Sequence, residues 1–517
     1  MTNLTTHLRE AVADHPDRAA VGFKGREISY TALWTRAGQF AAGLTERGIG
    51  AGDPVAVYLP NLPQFVTAFH GTLRAGGVVV PMNPQYKSRE IRHLLDDSGA
   101  KAVVTIPDLV PFVEEVREET DVDWVITVGE GTADSTAFEG FLGDGAPDVV
   151  ARDDDELAVQ PYTSGTTGQP KGVRLTHENL ASNALTSADL VPEGTTPSDK
   201  QLGVLPLFHI YGMTVVMNAT LFNGATYYPL PAWDAPEAVS LIEDEELTLM
   251  HGVPAMYNDI INQPDAAGFD LSSLRMAGVG GSGIPAEVLR RFEDLYDTTV
   301  YEGYGLTETS PVTHFNTEER GRRVGSIGKV IPDVSARVVD DEFETVPPVE
   351  RGPVDDDADL DDITGELVVA GPNVMAGYAG LPEANEAAFT ERDGNRWFHT
   401  GDLGYHDADG FFYVVDREDH TINTAGYNVY PREVEELLFE LDGVADAAVV
   451  GIPDERRGET VKAFVVRTPD ADLTADEVRQ FCLDRLAEYK HPREVAFVEE
   501  LPRTTTGKVQ KFELRGE

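Results

Sequence analysis

Residues 162–173 have the composition of a phosphate-binding loop. They read Tyr-Thr-Ser-Gly-Thr-Thr-Gly-Gln-Pro-Lys-Gly-Val, which combines hydroxyl side chains, glycines and one lysine. Glycine lets the backbone approach an anion closely, so that N–H, hydroxyl and ammonium groups can donate to it together. Lys171 is followed by Gly172 rather than by Ser or Thr, so the loop is not the common P-loop. We therefore predict a phosphate cradle of another kind, with a flexible polar loop as the alternative.

Later segments carry groups that suit the rest of a nucleotide. Residues 301–308 read Tyr-Glu-Gly-Tyr-Gly-Leu-Thr-Glu. Small neighbours could leave the ring of Tyr304 open to a purine, and Thr307 could donate to a phosphate oxygen. Glu308 offers an oxygen ligand of the kind that Mg²⁺ prefers, and Asp402, after a glycine, could bind two ribose hydroxyls. Each segment taken alone also fits an ordinary strand end with a turn.

His209 and Lys508 are candidate reactive side chains in contrasting surroundings. His209 lies within residues 201–233, which contain no Lys, Arg, Asp or Glu and are long enough to span a bilayer. Pro206 and Gly224 interrupt that segment, so we predict a buried strand, loop and helix, in which a histidine is equally well a core residue. Lys508 follows a glycine on a polar loop and is either a surface lysine or a catalytic cation.

The order of predicted elements indicates an α/β fold in which these groups would be positioned. Apolar periodicity alternates between helix and strand in the N-terminal part and predicts a mostly parallel sheet covered by helices. The predicted helices there are 31–44, 62–74, 88–95 and 110–118, and the predicted strands are 54–59, 78–81, 102–105 and 124–128. A small module follows near the C-terminus, with helices over 431–441 and 474–486 and strands over 444–452 and 461–467.

The charge balance restricts the environment and the partners. The sequence has 517 residues, 41 basic and 89 acidic side chains, and a net charge of −48. Concentrated salt screens the repulsion that such a surface creates, so we predict a cytoplasmic protein of a halophile, with an ordinary acidic protein as the alternative. Nucleic acid and anionic membranes are disfavoured partners.

Cys482 is the single cysteine, which excludes an intrachain disulfide. Residues 1–10 lack the apolar core of a signal peptide.

The motifs, taken in order, resemble those of the adenylate-forming superfamily, which contains acyl-CoA synthetases, luciferases and peptide-synthetase adenylation domains. The resemblance runs from about residue 31 to residue 511. It is carried by residues 162–173, Phe208-His209, 304–308, Thr400-Gly401-Asp402, Asp416-Arg417, Gly426 and Gly507-Lys508.

The resemblance implies a two-lobed α/β ligase. A large N-terminal domain of stacked α/β layers with a β-barrel-like part would cover residues 1–418, and a small mobile α+β domain would cover 419–517. A carboxylate would attack the α-phosphate of Mg·ATP to give acyl-AMP and pyrophosphate, and CoA would then displace AMP. ATP, Mg²⁺ and CoA are the implied cofactors, and positioning and charge neutralisation would carry the first step.

The resemblance also implies a role for individual residues of the nucleotide site. Tyr304 would stack on adenine, Glu302 would accept a hydrogen bond from the adenine amino group, and Thr307 would contact the α-phosphate. Glu308 and Thr167 would bind the metal. The nucleotide-binding set is Thr163, Ser164, Gly165, Thr166, Thr167, Gly168, Lys171, Gly281, Glu302, Gly303, Tyr304, Asp402 and Arg417.

The implied catalytic residues are Lys508, Thr307, Glu308 and His209. Lys508 would bridge the substrate carboxylate and the α-phosphate, and rotation about a hinge at Asp419 would then remove it and bring Gly426 to CoA. The implied acyl pocket consists of His209, Ile210, Tyr211, Gly280, Pro311 and Val312.

The substrate inferred from the resemblance is a medium- or long-chain fatty acid. Glycine at position 280 would leave room for a long or flat acyl group, so an aryl acid of the 4-coumarate type is an alternative. Transfer to a carrier protein and a non-catalytic nucleotide-binding protein are further alternatives. A monomer or homodimer is expected, with ATP, CoA and a small acid as partners, and neither nucleic acid nor an integral membrane span.

The net charge predicts that stability depends on salt. Raising KCl from about 0.1 M to about 1 M shortens the Debye length from about 10 Å to about 3 Å and so weakens repulsion among the carboxylates. We expect the melting temperature, measured by circular dichroism, to rise steeply over this range and structure to be lost when salt is removed. An unchanged melting temperature would contradict the prediction.

Overall fold

The computed structural model describes residues 3–164, 170–354, 360–417, 420–424, 427–454, 456–468, 471–504 and 509–515. The described residues form four sheets, two of nine strands and two of five. This arrangement of a large α/β part and a smaller C-terminal part confirms the predicted fold class.

The first sheet is built around parallel strands and has antiparallel strands at both edges. Its strands, in spatial order, are Lys329–Val330, Val312–Phe315, Val300–Gly305, Met276–Val279, Leu249–Gly252, Lys200–Gly203, Thr226–Pro229, Ala19–Phe23 and Arg26–Ser29. Because the central strands are parallel, their carboxyl ends lie at one edge of the sheet, where open α/β sheets bind ligands.

The second sheet contains the N-terminal strands predicted from periodicity. In spatial order it consists of Gly377–Tyr378, Pro170–Thr176, Leu157–Val159, Val78–Pro81, Pro54–Val57, Ala102–Thr105, Trp124–Thr127 and Thr136–Ala137, and Tyr162–Ser164 pairs with Pro170–Thr176. Strands 78–81 and 102–105 have the predicted bounds, and every residue in both is buried. Burial on both faces explains why these strands are rich in valine rather than alternating.

The third and fourth sheets belong to the C-terminal half. The third is antiparallel and contains Ser335–Val339, Gly365–Ala370, Asn395–His406 and Phe389–Arg392, with Phe412–Arg417 paired to Asn395–His406. The fourth contains Tyr427–Val429, Ile422–Thr424, Gly458–Arg467 and Val444–Asp454, with Glu494–Val498 paired to Gly458–Arg467.

Helices cover the sheets. The α-helices are Thr5–Asp14, Tyr30–Glu46, Pro63–Arg74, Ser88–Ser98, Val110–Val116, Phe138–Phe141, His177–Leu190, Ala219–Phe222, Ala235–Glu245, Pro254–Ile261, Ala286–Tyr296, Pro382–Ala388, Pro431–Phe439, Ala475–Leu483 and Lys511–Leu514. Tyr211–Asn218 is a π-helix, and Pro107–Leu109, Arg117–Glu119, Ala266–Gly268, Thr307–Thr309 and Leu360–Asp362 are 3-10 turns.

Local sequence signals account for several helix boundaries. The hydroxyl of Ser29 accepts a hydrogen bond from the N–H of Ala32 at 3.2 Å and caps helix Tyr30–Glu46. The predicted capping box at Thr474 is confirmed, since its N–H donates to Glu477 Oε2 at 2.8 Å and its hydroxyl accepts from the N–H of Glu477 at 3.3 Å. That helix ends at Leu483 rather than at the predicted residue 486.

The uncharged segment 201–233 contains the predicted strand, loop and helix, but most of the helix is a π-helix and a second strand, Thr226–Pro229, follows it. Among the described residues, no helix has the length and apolar character needed to cross a membrane.

The C-terminal residues have a core of their own. Ile422, Val434, Val449, Val461 and Val478 are buried together there, away from the core of the large lobe. The predicted domain boundary at 418/419 falls outside the described residues and stays a prediction.

The third sheet contains a buried carboxylate that holds a turn and a loop together. The side chain of Asp407 is fully buried, forms an ion pair with Arg323, and accepts N–H bonds from Asp409 and Phe411, both at 3.0 Å. It also accepts from the Tyr413 hydroxyl at 3.2 Å. Removing this acceptor would leave several donors without a partner.

We expect Asp407→Ala to lower the free energy of unfolding by about 3 kcal/mol, because it removes the fully buried ion-pair partner of Arg323 and leaves buried N–H groups unpaired. Asp409→Ala is the matched control, since Asp409 pairs with the same Arg323 but its side chain is 59% exposed. That control should cost less than about 1 kcal/mol. Urea denaturation in molar KCl measures both, and equal losses would contradict the prediction.

Candidate functional site

A cleft of about 1980 Å³ lies between the carboxyl ends of the first-sheet strands, the third sheet and the C-terminal residues. It is lined by many of the residues singled out in the sequence. Those on its wall are Thr163, Lys171, His209, Ile210, Tyr211, Gly280, Gly281, Glu302, Gly303, Tyr304, Thr307, Glu308, Pro311, Val312, Asp402 and Arg417.

Other predicted residues cannot be placed. Gly165, Thr166, Thr167, Gly168, Asp419, Gly426 and Lys508 lie outside the described residues, as does the side chain of Ser164. The roles assigned to them remain predictions.

Asp402 lies at the centre of one end of the cleft. It is 5% exposed, and its Oδ2 accepts from the Tyr304 hydroxyl at 2.5 Å. Arg417 faces Asp402 across neighbouring strands, with Nη1 3.2 Å from Oδ1. Gly401 has φ +67°, and a Cβ there would lie 3.1 Å from the Arg417 guanidinium. The arrangement offers carboxylate oxygens beside an aromatic ring and a cation.

Tyr304 is supported from behind by a neutral histidine. His314 lies opposite it in the sheet register, with ring centroids 5.8 Å apart, and His314 packs on Phe412 at 4.6 Å. Burial, assisted by the charge of Arg320, lowers the pKa of His314 to about 3. The imidazole is therefore uncharged at neutral pH and acts as an apolar wall. His314 was not singled out from the sequence, because its role depends on its position opposite Tyr304 in the sheet register.

Glu302 lies beside this wall and faces a side chain from the small lobe. It is 5% exposed, and burial raises its pKa to about 7, an effect that the charge of Arg432 partly offsets. A Cβ at Gly283 would lie 2.3 Å from the guanidinium of Arg432, so this arginine rests directly on the Gly283 backbone. Its N–H also donates to Asp416 at 2.9 Å. Arg432 was not singled out from the sequence.

The other end of the cleft contains a lysine, a tyrosine and a glutamate in contact. Lys171 lies opposite Thr163 in the strand pair next to the Gly-rich loop, and its ammonium is 5.1 Å from the ring centroid of Tyr378. The Tyr378 hydroxyl donates to Glu308 Oε1 at 3.0 Å. Burial raises the pKa of Glu308, opposed by its own N–H, by Tyr378 and by the charge of Arg417. Tyr378 was also not singled out from the sequence.

These groups fit a divalent cation bound mainly through a substrate. Within the described ranges, no group of three or more His, Cys, Asp or Glu side chains could hold a metal ion. Mg²⁺ is commonly held by one or two carboxylates together with phosphate oxygens and water. Glu308, a half-buried carboxylate bonded to Tyr378, is a suitable protein ligand of this kind.

The cleft continues into an apolar pocket past Tyr211. The Tyr211 hydroxyl is 3.1 Å from Nδ1 of His251, a buried imidazole whose pKa burial lowers to about 4. A Cβ at Gly280 would lie 3.1 Å from the Tyr211 ring, so glycine keeps this passage open while the ring forms one of its sides. His209 is half-buried at the entrance.

The deep end of the pocket is apolar. Leu190, Val215, Met276 and Phe315 line it, and Ser187 is the polar side chain among them. Ser187 is buried, and its hydroxyl has no hydrogen-bond partner within the described part of the chain. The lining of this end therefore offers mainly apolar surface.

Comparison with known proteins agrees with this geometry. Residues 8–379 match the AMP-binding enzyme family, and residues 433–508 match the AMP-binding enzyme C-terminal domain. A long-chain-fatty-acid–CoA ligase of Bacillus subtilis (strain 168) is 36% identical, with 99% of this chain and 94% of the relative covered.

Solved structures match over the same length. ATP-bound MatB from Rhodopseudomonas palustris has a TM-score of 0.89 at 32% identity, covering 99% of this chain and 98% of that one. The apo form of MatB from the same organism has a TM-score of 0.78 at 33% identity, with the same coverage. The anthranilate CoA ligase AuaEII in complex with anthranoyl-AMP has a TM-score of 0.90 at 26% identity, covering 100% of this chain and 97% of that one.

The raised pKa of Glu302 predicts a pH-dependent contribution to stability. Its pKa of about 7 in the folded chain lies above the ordinary value of 4.5, so the folded state keeps a proton that the unfolded state releases between these values. The contribution is present below about pH 4.5 and is lost as the pH rises through about 7. As the pH rises from 5 to 8, the free energy of unfolding of Glu302→Gln should therefore increase relative to that of the wild type.

Denaturation midpoints at several pH values measure this difference. Glu287→Gln is the control, because Glu287 is 57% exposed, and its difference from the wild type should not change with pH. A constant difference for Glu302→Gln would contradict the assignment.

Proposed function

This chain belongs to the family of AMP-binding enzymes and is an AMP-forming acid:CoA ligase, and we propose that the acid it activates is a medium- or long-chain fatty acid. The observation that carries the proposal is the continuity of the cleft. Polar groups suited to a nucleotide line one part of it, and the other part leads past Gly280 to an apolar end at Leu190 and Met276.

The adenosine would bind at the Asp402 end. Tyr304, backed by His314, offers a ring for stacking, and Glu302, which lines the same cleft, would accept from the adenine amino group. Asp402 would accept from the ribose hydroxyls while Arg417 and the Tyr304 hydroxyl hold its carboxylate in place. The fixed carboxylate would orient the nucleoside before any bond changes.

The triphosphate would lie toward Lys171 and Glu308. Lys171 and Thr163 would hold the β- and γ-phosphates, and Thr307 would donate to the α-phosphate. Glu308 would hold Mg²⁺, which when bound neutralises phosphate charge. The carboxylate of the acid, delivered past His209, would attack the α-phosphorus as pyrophosphate leaves, so positioning and charge compensation are what these residues contribute.

The second step would require the small lobe to move. Lys508 would serve acyl-adenylate formation, and rotation about Asp419 would exchange it for the region of Gly426 when CoA enters. The higher TM-score with ATP-bound than with apo MatB supports an adenylate-forming arrangement of the lobes. The net charge of −48 supports placing the enzyme in the cytoplasm of a halophile.

An acid-dependent exchange of pyrophosphate into ATP tests the function in molar KCl. Across straight-chain acids, kcat/KM should rise up to about fourfold per methylene until the pocket is filled, because each buried methylene contributes about 0.8 kcal/mol. Free CoA should convert the bound adenylate to a thioester. Preference for benzoate or 4-coumarate over every fatty acid would favour the aryl alternative and contradict the proposal.

Ser187→Leu tests the location of the chain end. The larger side chain would fill the apolar end of the pocket, so we expect kcat/KM to fall at least tenfold for long acids and to change little for short ones. Ser182→Leu, on the same helix but away from the cleft wall, is the control and should leave the chain-length profile unchanged. Equal losses for short and long acids would place the acyl chain elsewhere.

A further inference from the structure

Residues 373–379 join the two parts of the phosphate end, and we call them the connecting segment. Its backbone donates on one side to the turn that carries Glu308 and on the other side to the strand that follows the Gly-rich loop. The bonds are from Met375 to Glu308 at 2.8 Å, from Ala376 to Arg174 at 2.9 Å and from Ala379 to Gly172 at 2.8 Å. Displacement of either part would therefore be transmitted to the other.

Tyr378 occupies a fixed position in the connecting segment. It pairs with Val173 across antiparallel strands, and its N–H donates to Asn385 Oδ1 at 2.7 Å. The amide of Asn385 donates back to the Tyr378 carbonyl at 2.9 Å. Gly377 precedes it with φ +141°, and a Cβ there would lie 2.7 Å from Asn385 Oδ1, so the turn requires glycine.

The Tyr378 side chain contacts an anion with its hydroxyl and a cation with its ring. The hydroxyl donates to Glu308 Oε1 at 3.0 Å, and the ring centroid is 5.1 Å from the Lys171 ammonium. We propose that Tyr378 is a positioning residue for acyl-adenylate formation, which orients the Glu308 carboxylate toward a phosphate-bound divalent cation and holds Lys171 toward the phosphates. This inference rests on the proposed function.

The hydrogen bond leaves Glu308 able to bind a cation. An ionised carboxylate has about four lone-pair sites, so the bond from Tyr378 to Oε1 leaves others for a cation. Without the phenol, Glu308 would lose the hydrogen bond that holds its carboxylate in this orientation.

The contact with the ring serves Lys171 differently from an ion pair. A carboxylate partner would neutralise the ammonium, whereas an aromatic face attracts it without cancelling its charge. The ammonium therefore retains its full charge for the phosphates. The ring and the hydroxyl of Tyr378 thus have separable effects.

Two substitutions separate these effects. Tyr378→Phe keeps the ring and removes the hydroxyl, so the Mg²⁺ concentration for half-maximal pyrophosphate exchange should rise about tenfold. The KM for ATP at saturating Mg²⁺ should change less than about twofold. Tyr378→Leu also removes the ring and should raise that KM about tenfold.

A binding measurement independent of turnover accompanies the kinetics. ATP raises the melting temperature of the protein, and the additional rise caused by Mg²⁺ should be lost in Tyr378→Phe while the rise caused by ATP alone remains. Tyr228→Phe is the matched control, because its hydroxyl donates to Glu245 at 3.2 Å and Tyr228 is not part of the cleft wall. It should leave the Mg²⁺ dependence and the response to ATP unchanged.

The outcomes distinguish the inference from the proposed function. A wild-type enzyme with no exchange for any acid would overturn the function, and the effect of Mg²⁺ on melting would still decide the role of Tyr378. If the wild type is active and Tyr378→Phe requires the same Mg²⁺ concentration, the inference about Tyr378 is wrong while the proposed function stands. The same conclusion follows if Tyr378→Phe only loses stability, as a variant of a merely structural tyrosine would.

Discussion

The buried carboxylate of Asp402 is the interaction on which the cleft depends. It belongs to the third sheet, yet it accepts a short hydrogen bond from Tyr304 at the end of a first-sheet strand, and it pairs with Arg417 on its own sheet. A carboxylate in this position is stable only because both partners are present, since an unpaired buried charge is costly. The relative placement of two sheets is thereby fixed at the point where the nucleoside would lie, and rigid strands hold the nucleoside-facing groups in place.

Buried carboxylates of this site differ in protonation because their neighbours differ. Burial alone raises the pKa of a carboxyl group, and it does so for Glu302. The positive charge of Arg432 offsets only part of this rise. Asp416 is also buried, but hydrogen bonds from His420 and from backbone N–H groups, with the charge of Lys511, lower its pKa to about 2. One of those N–H groups belongs to Arg432. Arg432 of the small lobe therefore bonds to an ionised aspartate, Asp416, whereas Glu302 keeps its proton to higher pH.

Local patterns predicted the fold and much of the site, and tertiary contacts determined the rest. Strand 102–105 and helix 30–46 follow from hydrophobic periodicity, and the glycine, hydroxyl and acidic motifs indicated which strand ends carry chemistry. Tyr378 and Arg432 were missed because each acts on residues far away in sequence, through pairing that no local pattern records. Gly280 was interpreted as open space, and the structure adds the Tyr211 ring that borders this space. Such neighbours follow only from the packing of complete elements.

One wall of the apolar pocket past Tyr211 begins in a π-helix, Tyr211–Asn218, whose turns hold more residues than those of an α-helix. Loss of one residue from this segment in a descendant gene would allow it to wind as an α-helix. Because the wider turns already accommodate an extra residue, side chains beyond the deletion would keep nearly their present orientation, and those within the segment would be rearranged. A lineage could thus acquire a differently shaped substrate chamber through a single-codon deletion, while the strand ends around Glu308 and Asp402 keep their sequence.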